Sequence, residues 1–188
     1  NISVAVRSSA TAEDLPDASF AGQQETYLNV RGAEEVVERV KECFASMFTD
    51  RAVYYRTKKN FSHTEAALSA VVQMMVFSAA SGVMFTVNVV NGDDKKILIE
   101  GSWGLGEYVV QGTVTPDHFW IAKESLEIVE RSVNEKAIQL VRRPGGGVVE
   151  KPVPEELKSI PVHSDDQIRE LARYALDIEK HYGTYMDM

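Results

Sequence analysis

The chain has 188 residues, of which 44% are hydrophobic and 26% are charged, so its composition is that of an ordinary globular protein. Its net charge of −8 argues against a general nucleic-acid-binding protein, which needs an excess of lysine and arginine to neutralise phosphates. Its one cysteine, Cys43, excludes an intrachain disulfide and favours the reducing cytoplasm, and no apolar run approaches the roughly 20 residues that span a bilayer.

The first third of the chain is predicted to form two strands and a long helix. Residues 2–6 alternate as a short strand, and residues 7–22, rich in Ser, Ala, Asp, Pro and Gly, are typical of a loop. A second strand is predicted over residues 25–30. From residue 33 to about residue 56 the apolar side chains recur at helical spacing, which predicts one continuous helix.

The rest of the chain is predicted to consist mainly of strands, followed by a closing helix. Residues 66–77 form a candidate buried strand, although their alanines leave a helix possible at its start. A loop is predicted over 142–161, and a helix begins after Ser164, which forms a capping box with Gln167. Further strands are predicted over 82–90, 95–100, 117–123 and 127–132, the first two joined as a hairpin. This mixture predicts an α+β fold.

The polar segment after the first strand is the first candidate site. Arg7 is followed by Ser8, Ser9 and Thr11, and a guanidinium at a strand end beside small hydroxyl residues suits a phosphate group. The alternative from residue chemistry alone is a solvated surface loop with an ordinary salt bridge.

Two further features have open interpretations. Gln73, within an apolar strand, is either a hydrogen-bonded structural residue or an amide that contacts a purine edge. Gly101, Gly104 and Gly106 stand in the wrong order for a dinucleotide-binding fingerprint, so a tight strand exit is the better interpretation. The sequence has no P-loop motif, no zinc-ligand spacing and no nucleophile elbow.

Longer stretches of the sequence carry a family resemblance. Residues 4–26, 67–76, 81–86 and 101–117 closely resemble the N-terminal nucleotide-binding domain of the phosphoenolpyruvate synthase and pyruvate, phosphate dikinase family, which also holds rifampicin phosphotransferase. With the final residues, 182–187, the resemblance spans nearly the whole chain. It implies an ATP-grasp fold, in which two α+β lobes hold ATP between them.

The resemblance also implies a reaction. In this family ATP, with Mg²⁺, donates its β-phosphoryl group to a histidine on a separate swivelling domain. A barrel domain of the same chain then phosphorylates pyruvate, and the net products from ATP, pyruvate and water are phosphoenolpyruvate, AMP and phosphate. The partners implied are ATP and these two domains, with no role for nucleic acid or a membrane.

The resemblance assigns roles to particular residues. Arg7 resembles the family's triphosphate-binding arginine, which makes it the predicted catalytic residue. Gly22 and Thr26 match the loop that closes over the nucleotide, and Gln73 matches the glutamine at the adenine edge. The backbone contacts and the apolar wall for the base are expected from Met75 and Val76.

The chain also departs from the family pattern at both ends. An essential lysine precedes the region matched here, and the pattern Met-Asp-x-Glu-Trp stops at Met188, one residue before its glutamate. Asp187 is therefore the one metal-site candidate, and we expect an incomplete ATP-grasp domain that is inactive alone. Thr184 and Tyr185 stand where the family often has Arg-Pro. The alternatives are a rifampicin or glucan phosphotransferase, or a nucleotide-binding module without catalysis.

Overall fold

A computed structural model describes residues 2–10, 25–59, 62 and 67–188 of the chain. The chain divides into two compact units, the first comprising Asn1–Val76 with Arg142–Val149 and the second comprising Phe77–Val141 with Glu150–Met188. Each unit combines helices with antiparallel strands, which confirms the predicted mixture of helix and sheet. Within the described ranges, no helix is long and apolar enough to cross a membrane.

The described part of the first unit contains a three-stranded antiparallel sheet and two helices. Its elements are β1 (Ser3–Ala10), β2 (Thr26–Arg31), α1 (Ala33–Ser46), α2 (Asp50–Lys58) and β3 (Leu68–Met74). The strand order is β2-β1-β3, so β1 lies in the centre. Val6, Val30 and Cys43 are almost fully buried, and Val36 and Val40 of α1 pack against them. Helix α1 therefore covers one face of this sheet.

Two predictions for the first unit are wrong in detail. Strand β1 continues to Ala10, where a loop was expected from residue 7 onwards. Residues 8–10 pair with β3, and these ladder bonds outweigh the weak strand propensity of the serines. The predicted long helix is two helices, because Thr49 caps α2 by accepting the Ala52 N–H at 3.4 Å.

The second unit contains a four-stranded antiparallel sheet in the described ranges, with one long helix. Its elements are β4 (Ala80–Phe85), β5 (Lys96–Trp103), α3 (Glu107–Val110), β6 (Asp117–Ala122), β7 (Ile128–Ser132) and α4 (Asp165–Tyr182). A separate two-stranded sheet is formed by β8 (Ile138–Arg142) and β9 (Val148–Pro152), whose residues 142 and 148–149 are counted with the first unit and the rest with the second. The sheet order is β4-β5-β6-β7. Its core is formed by buried residues of β5, β6 and α4: Ile97, Ile99, Phe119, Ile121, Ile168, Ala172 and Ala175.

The strongest local signals in this half of the chain are confirmed. Strands β4 and β5 pair as the predicted hairpin, with Phe85 opposite Leu98, although β4 ends at Phe85 and not at residue 90 as predicted. Ser164 and Gln167 form the predicted capping box, in which each side chain bonds the other residue's backbone N–H.

Other predictions for this half need correction. The segment 142–161 is not a simple loop, since it contains β9 and a 3-10 turn at Glu155–Leu157, and β8 was not predicted. The glycine-rich turn begins only after β5 ends at Trp103. Gly104 has φ +81°, and a Cβ there would lie 2.4 Å from the Leu140 carbonyl oxygen. The chain therefore turns tightly at Gly104, directly after the end of β5, as residue chemistry predicted.

Candidate functional site

The sheet of the first unit has one face turned to helix α1 and one turned away from it. Side chains alternate between faces along a strand, and residues directly opposite on neighbouring strands share a face. Val4, Val6 and Ala70 belong to the helix-covered face, because they pack in the cluster with α1. The residues between them in sequence, including Ala5 and Arg7, therefore lie on the other face.

Register places three predicted site residues on that second face. Arg7 lies opposite Thr26 on β2 and opposite Val71 on β3. Gln73 lies opposite Ala5, two residues along β1 from Arg7. Such diagonal neighbours have Cα atoms about 7–8 Å apart, within reach of long side chains. We call these five residues the Arg7 face.

Arg7 is the one charged residue among the five that form the Arg7 face, and its side chain is exposed. Among the described residues, no carboxylate pairs with its guanidinium. By contrast Arg39, on α1, pairs with Glu42 at 2.6 Å and lies 5.1 Å from the ring centroid of Tyr27. With respect to the described residues, Arg7 is therefore available to bind an anion, and a guanidinium fork matches phosphate oxygens.

The environment of Gln73 differs from the prediction of a buried strand. Gln73 is exposed, and Val71 and Val72 are 46% and 48% exposed. The amide therefore carries no desolvation cost and needs no structural partner. Beyond the strand, the Met75 N–H donates to the Ser3 carbonyl at 3.0 Å, and Val76 is 78% exposed.

Two predicted site residues lie apart from this set. Gly22 is outside the described residues, as are the residues of the loop around it. Asp187 belongs to the second unit, where it bridges Phe85 at the edge of β4 and is exposed. The structure thus brings Arg7, Thr26 and Gln73 together on one sheet face. Met75 and Val76 directly follow the end of β3, the strand that contains Gln73.

The metal prediction at Asp187 can be compared with the chemistry of Mg²⁺. Across the described ranges, no group of three His, Cys, Asp or Glu side chains converges as a metal cage. Mg²⁺ commonly takes one or two carboxylates and completes its shell with water and substrate phosphates. A single exposed carboxylate therefore fits a Mg²⁺ ion that arrives with a nucleotide.

In the part of the chain that the structure describes, we interpret His118 and His163 as structural residues. His118 Nδ1 lies 3.1 Å from Glu100 Oε1 on the neighbouring strand. Burial lowers the pKa of His163, although Asp117 acts in the opposite direction. His63 is outside the described residues.

A buried ion pair in the second unit was not foreseen. Lys136 Nζ lies 2.6 Å from Asp117 Oδ1, and both side chains are 0% exposed. No spacing rule connects residues 19 positions apart, and the sequence analysis marked only Asp117, as the last residue of the stretch 101–117 that carries the family resemblance. Because both groups are fully enclosed, we interpret the pair as structural.

Comparison with known proteins points to one family. The family model described as "Pyruvate phosphate dikinase, AMP/ATP-binding domain" matches residues 1–188. A probable phosphoenolpyruvate synthase of Methanocaldococcus jannaschii is 51% identical over 187 residues, covering 100% of the chain and 16% of that protein. The phosphoenolpyruvate synthases of Pyrococcus furiosus and Escherichia coli are 51% and 49% identical, covering 98% and 100% of the chain. The chain spans 23% and 25% of those two relatives.

Proposed function

The chain belongs to the pyruvate phosphate dikinase AMP/ATP-binding domain family, and on that premise we propose that it is the ATP-binding part of a phosphoenolpyruvate synthase. The proposal rests on one observation about Arg7. Its guanidinium has no carboxylate partner among the described residues, and it lies on an exposed sheet face together with Thr26 and Gln73. An anion-binding group beside an exposed amide and apolar side chains offers complementary contacts to the phosphates and base of a nucleotide.

Each residue then has a proposed role. Arg7 binds the triphosphate and neutralises charge during phosphoryl transfer. Gln73 bonds the adenine edge, while Met75 and Val76 supply backbone contacts and an apolar wall. Gly22 and Thr26 match the loop that closes over the nucleotide, and Thr26 is the first residue of β2. The domain is proposed to have the ATP-grasp fold.

We propose that ATP is bound as its Mg²⁺ complex. When bound, the ion neutralises phosphate charge. Asp187 would contribute one carboxylate oxygen to it, and the phosphates and water would complete the shell. The Arg7 guanidinium and the ion would then each neutralise part of the negative charge of the triphosphate.

The whole-protein reaction is proposed from the relatives. The β-phosphoryl group of ATP passes to a histidine on another domain and then to pyruvate, giving phosphoenolpyruvate, AMP and phosphate. The relatives named phosphoenolpyruvate synthase favour pyruvate over rifampicin or a glucan as the acceptor. We do not expect AMP formation from these residues alone, because the acceptor histidine lies on another domain. The buried, free Cys43 is compatible with the reducing cytoplasm, the location that we propose.

The substitution Arg7→Ala is the direct test of the phosphate-binding role. It removes charge-assisted hydrogen bonds to phosphate, so ATP affinity measured by calorimetry should fall by about 10- to 100-fold. Lys41→Ala is the matched control, because Lys41 is an exposed cation on α1, against the opposite face of the sheet. If both variants bind ATP as the wild type does, Arg7 does not contact the nucleotide. Weak binding by both variants would indicate general electrostatic attraction instead.

A further inference from the structure

The turn between β4 and β5 contains the one Asn-Gly pair in the sequence, Asn91-Gly92. Both residues are exposed, and Gly92 has φ +73° with nothing within 4 Å of the position that a Cβ would occupy. The backbone nitrogen that follows an asparagine can attack the side-chain amide carbon, and glycine leaves that approach open because it has no side chain. Asn91 therefore has the sequence context and the exposure that this reaction needs.

Two hydrogen bonds of the turn oppose the attack. The Gly92 N–H, which must lose its proton before the nitrogen can react, donates to the Asn88 carbonyl at 2.8 Å. The side-chain oxygen of Asn91 accepts the Asp93 N–H at 3.0 Å, so the amide is held toward Asp93. Because the nucleophile is occupied and the amide is restrained, the folded turn slows the reaction without removing either reactant.

Further bonds close the same turn. The Asn88 N–H donates to the Asp93 carbonyl at 2.9 Å, and Asn88 Oδ1 accepts the Val90 N–H at 2.9 Å. The Asp93 carboxylate accepts the Lys95 N–H at 3.0 Å. Release of the Gly92 nitrogen therefore requires an opening of the whole turn and not the movement of one residue.

We propose that Asn91 is a site of spontaneous deamidation and that the bonds of the β4–β5 turn set its rate. The Gly92 nitrogen gives its proton to water and bonds to Asn91 Cγ, the bond from Cγ to the amide nitrogen breaks, and that nitrogen takes up a proton and leaves as ammonia. Water then opens the resulting five-membered imide. Opening at the backbone carbonyl gives isoaspartate, and opening at Cγ gives aspartate. This inference is independent of the proposed function.

The modification would change the turn itself. Either product adds a negative charge beside Asp93 and Asp94. Isoaspartate also lengthens the main chain by one carbon between Asn88 and Asp93, so the backbone bond between these two residues weakens and the end of the hairpin opens more readily.

The test compares the folded protein with a synthetic peptide of residues 86–96 at the same neutral pH and temperature. Mass spectrometry after digestion follows conversion at Asn91 and distinguishes isoaspartate from aspartate by fragmentation. Because two bonds of ordinary strength restrain the reactants in the fold, conversion should be about 5- to 100-fold slower than in the peptide. Isoaspartate should appear together with aspartate, since direct hydrolysis of the amide gives aspartate alone.

Two variants separate the site from its restraint. Asn88→Ala removes the bond to the Val90 N–H, so it should speed conversion in the folded protein about two- to tenfold and leave the peptide rate unchanged. Asn91→Gln is the matched control, because it keeps an amide at the position but requires a six-membered ring, and no conversion should appear there over the same time.

Three results would overturn the proposal. Equal rates in the folded protein and the peptide, or a wild-type rate in folded Asn88→Ala, would show that the turn does not set the rate. Aspartate without isoaspartate would exclude the imide route. If the folded protein stays unconverted for about 200 half-times of the peptide, twice the largest slowing expected, Asn91 is not a deamidation site.

Discussion

Replacing Asp117 by asparagine is expected to lower the free energy of unfolding of the second unit by about 3–5 kcal/mol. The Lys136 ammonium donates to Asp117 Oδ1 at 2.6 Å and to the Asn134 carbonyl at 2.6 Å, with no exposure to water. The variant leaves that ammonium enclosed without a counter-charge. Trp103 and Trp120 are the only tryptophans and both belong to the second unit, so their fluorescence in a denaturant titration reports on it.

Two variants accompany this measurement. Lys136→Met should cost less than Asp117→Asn, because each Asp117 oxygen keeps a backbone N–H donor, from Asn134 at 3.0 Å and from Val162 at 2.9 Å. Asp166→Asn breaks an exposed pair in the same unit, with Arg169, whose side chain is 39% exposed while that of Asp166 is 97% exposed, and should change stability by less than about 1 kcal/mol. Equal losses in Asp117→Asn and Asp166→Asn would show that the buried pair is no more important than a surface pair.

Replacing Asn29 by alanine is expected to destabilise the first unit by about 2–4 kcal/mol. Asn29 is 0% exposed and has φ +56°, a conformation that costs alanine about 1–2 kcal/mol. Its amide donates to the carbonyls of Arg143 and Gly147 at 2.8 and 2.6 Å, and its oxygen accepts from Ser3 Oγ at 2.6 Å. Their loss leaves buried polar groups without partners.

The lone cysteine provides the readout for the first unit. Cys43 is 0% exposed and packs in the core beneath the sheet, so its reaction with a thiol reagent reports opening of that unit. Asn29→Ala should speed this reaction by about 30- to 1,000-fold if opening limits access. Asn29→Gly keeps the left-handed backbone and loses only the side-chain bonds, so its rate should fall between alanine and wild type. Wild-type rates in both variants would contradict this account.

The features that were predicted correctly are those with strong local signals. Helix α4 has a capping box at Ser164 and an apolar stripe, and the β4–β5 hairpin surrounds an Asn-Gly turn. The errors occur where distant pairing or a single cap decides the structure. Strand β1 gains its last residues, 8–10, by pairing with β3, which is distant in the sequence. The break between α1 and α2 depends on one local cap, Thr49.

The candidate site could be predicted only in part. Residue chemistry identified Arg7 as a phosphate ligand but left a surface salt bridge open, and the family resemblance selected Thr26 and Gln73. Neither could show that the three share one sheet face, because that follows from the pairing of β1 with β2 and β3. The enclosure of Lys136 also had no local signal, because its partner lies on a distant strand.

The central claim is that ATP contacts the Arg7 face, and amide chemical shifts measured during an ATP titration test it most directly. We predict that the amides of Arg7, Thr26, Gln73 and Met75 shift together with a single dissociation constant. In Arg7→Ala the same shifts should require about 10- to 100-fold more ATP. If ATP binds while these amides do not move and the shifts occur on helix α1, the nucleotide site lies elsewhere and the account is wrong.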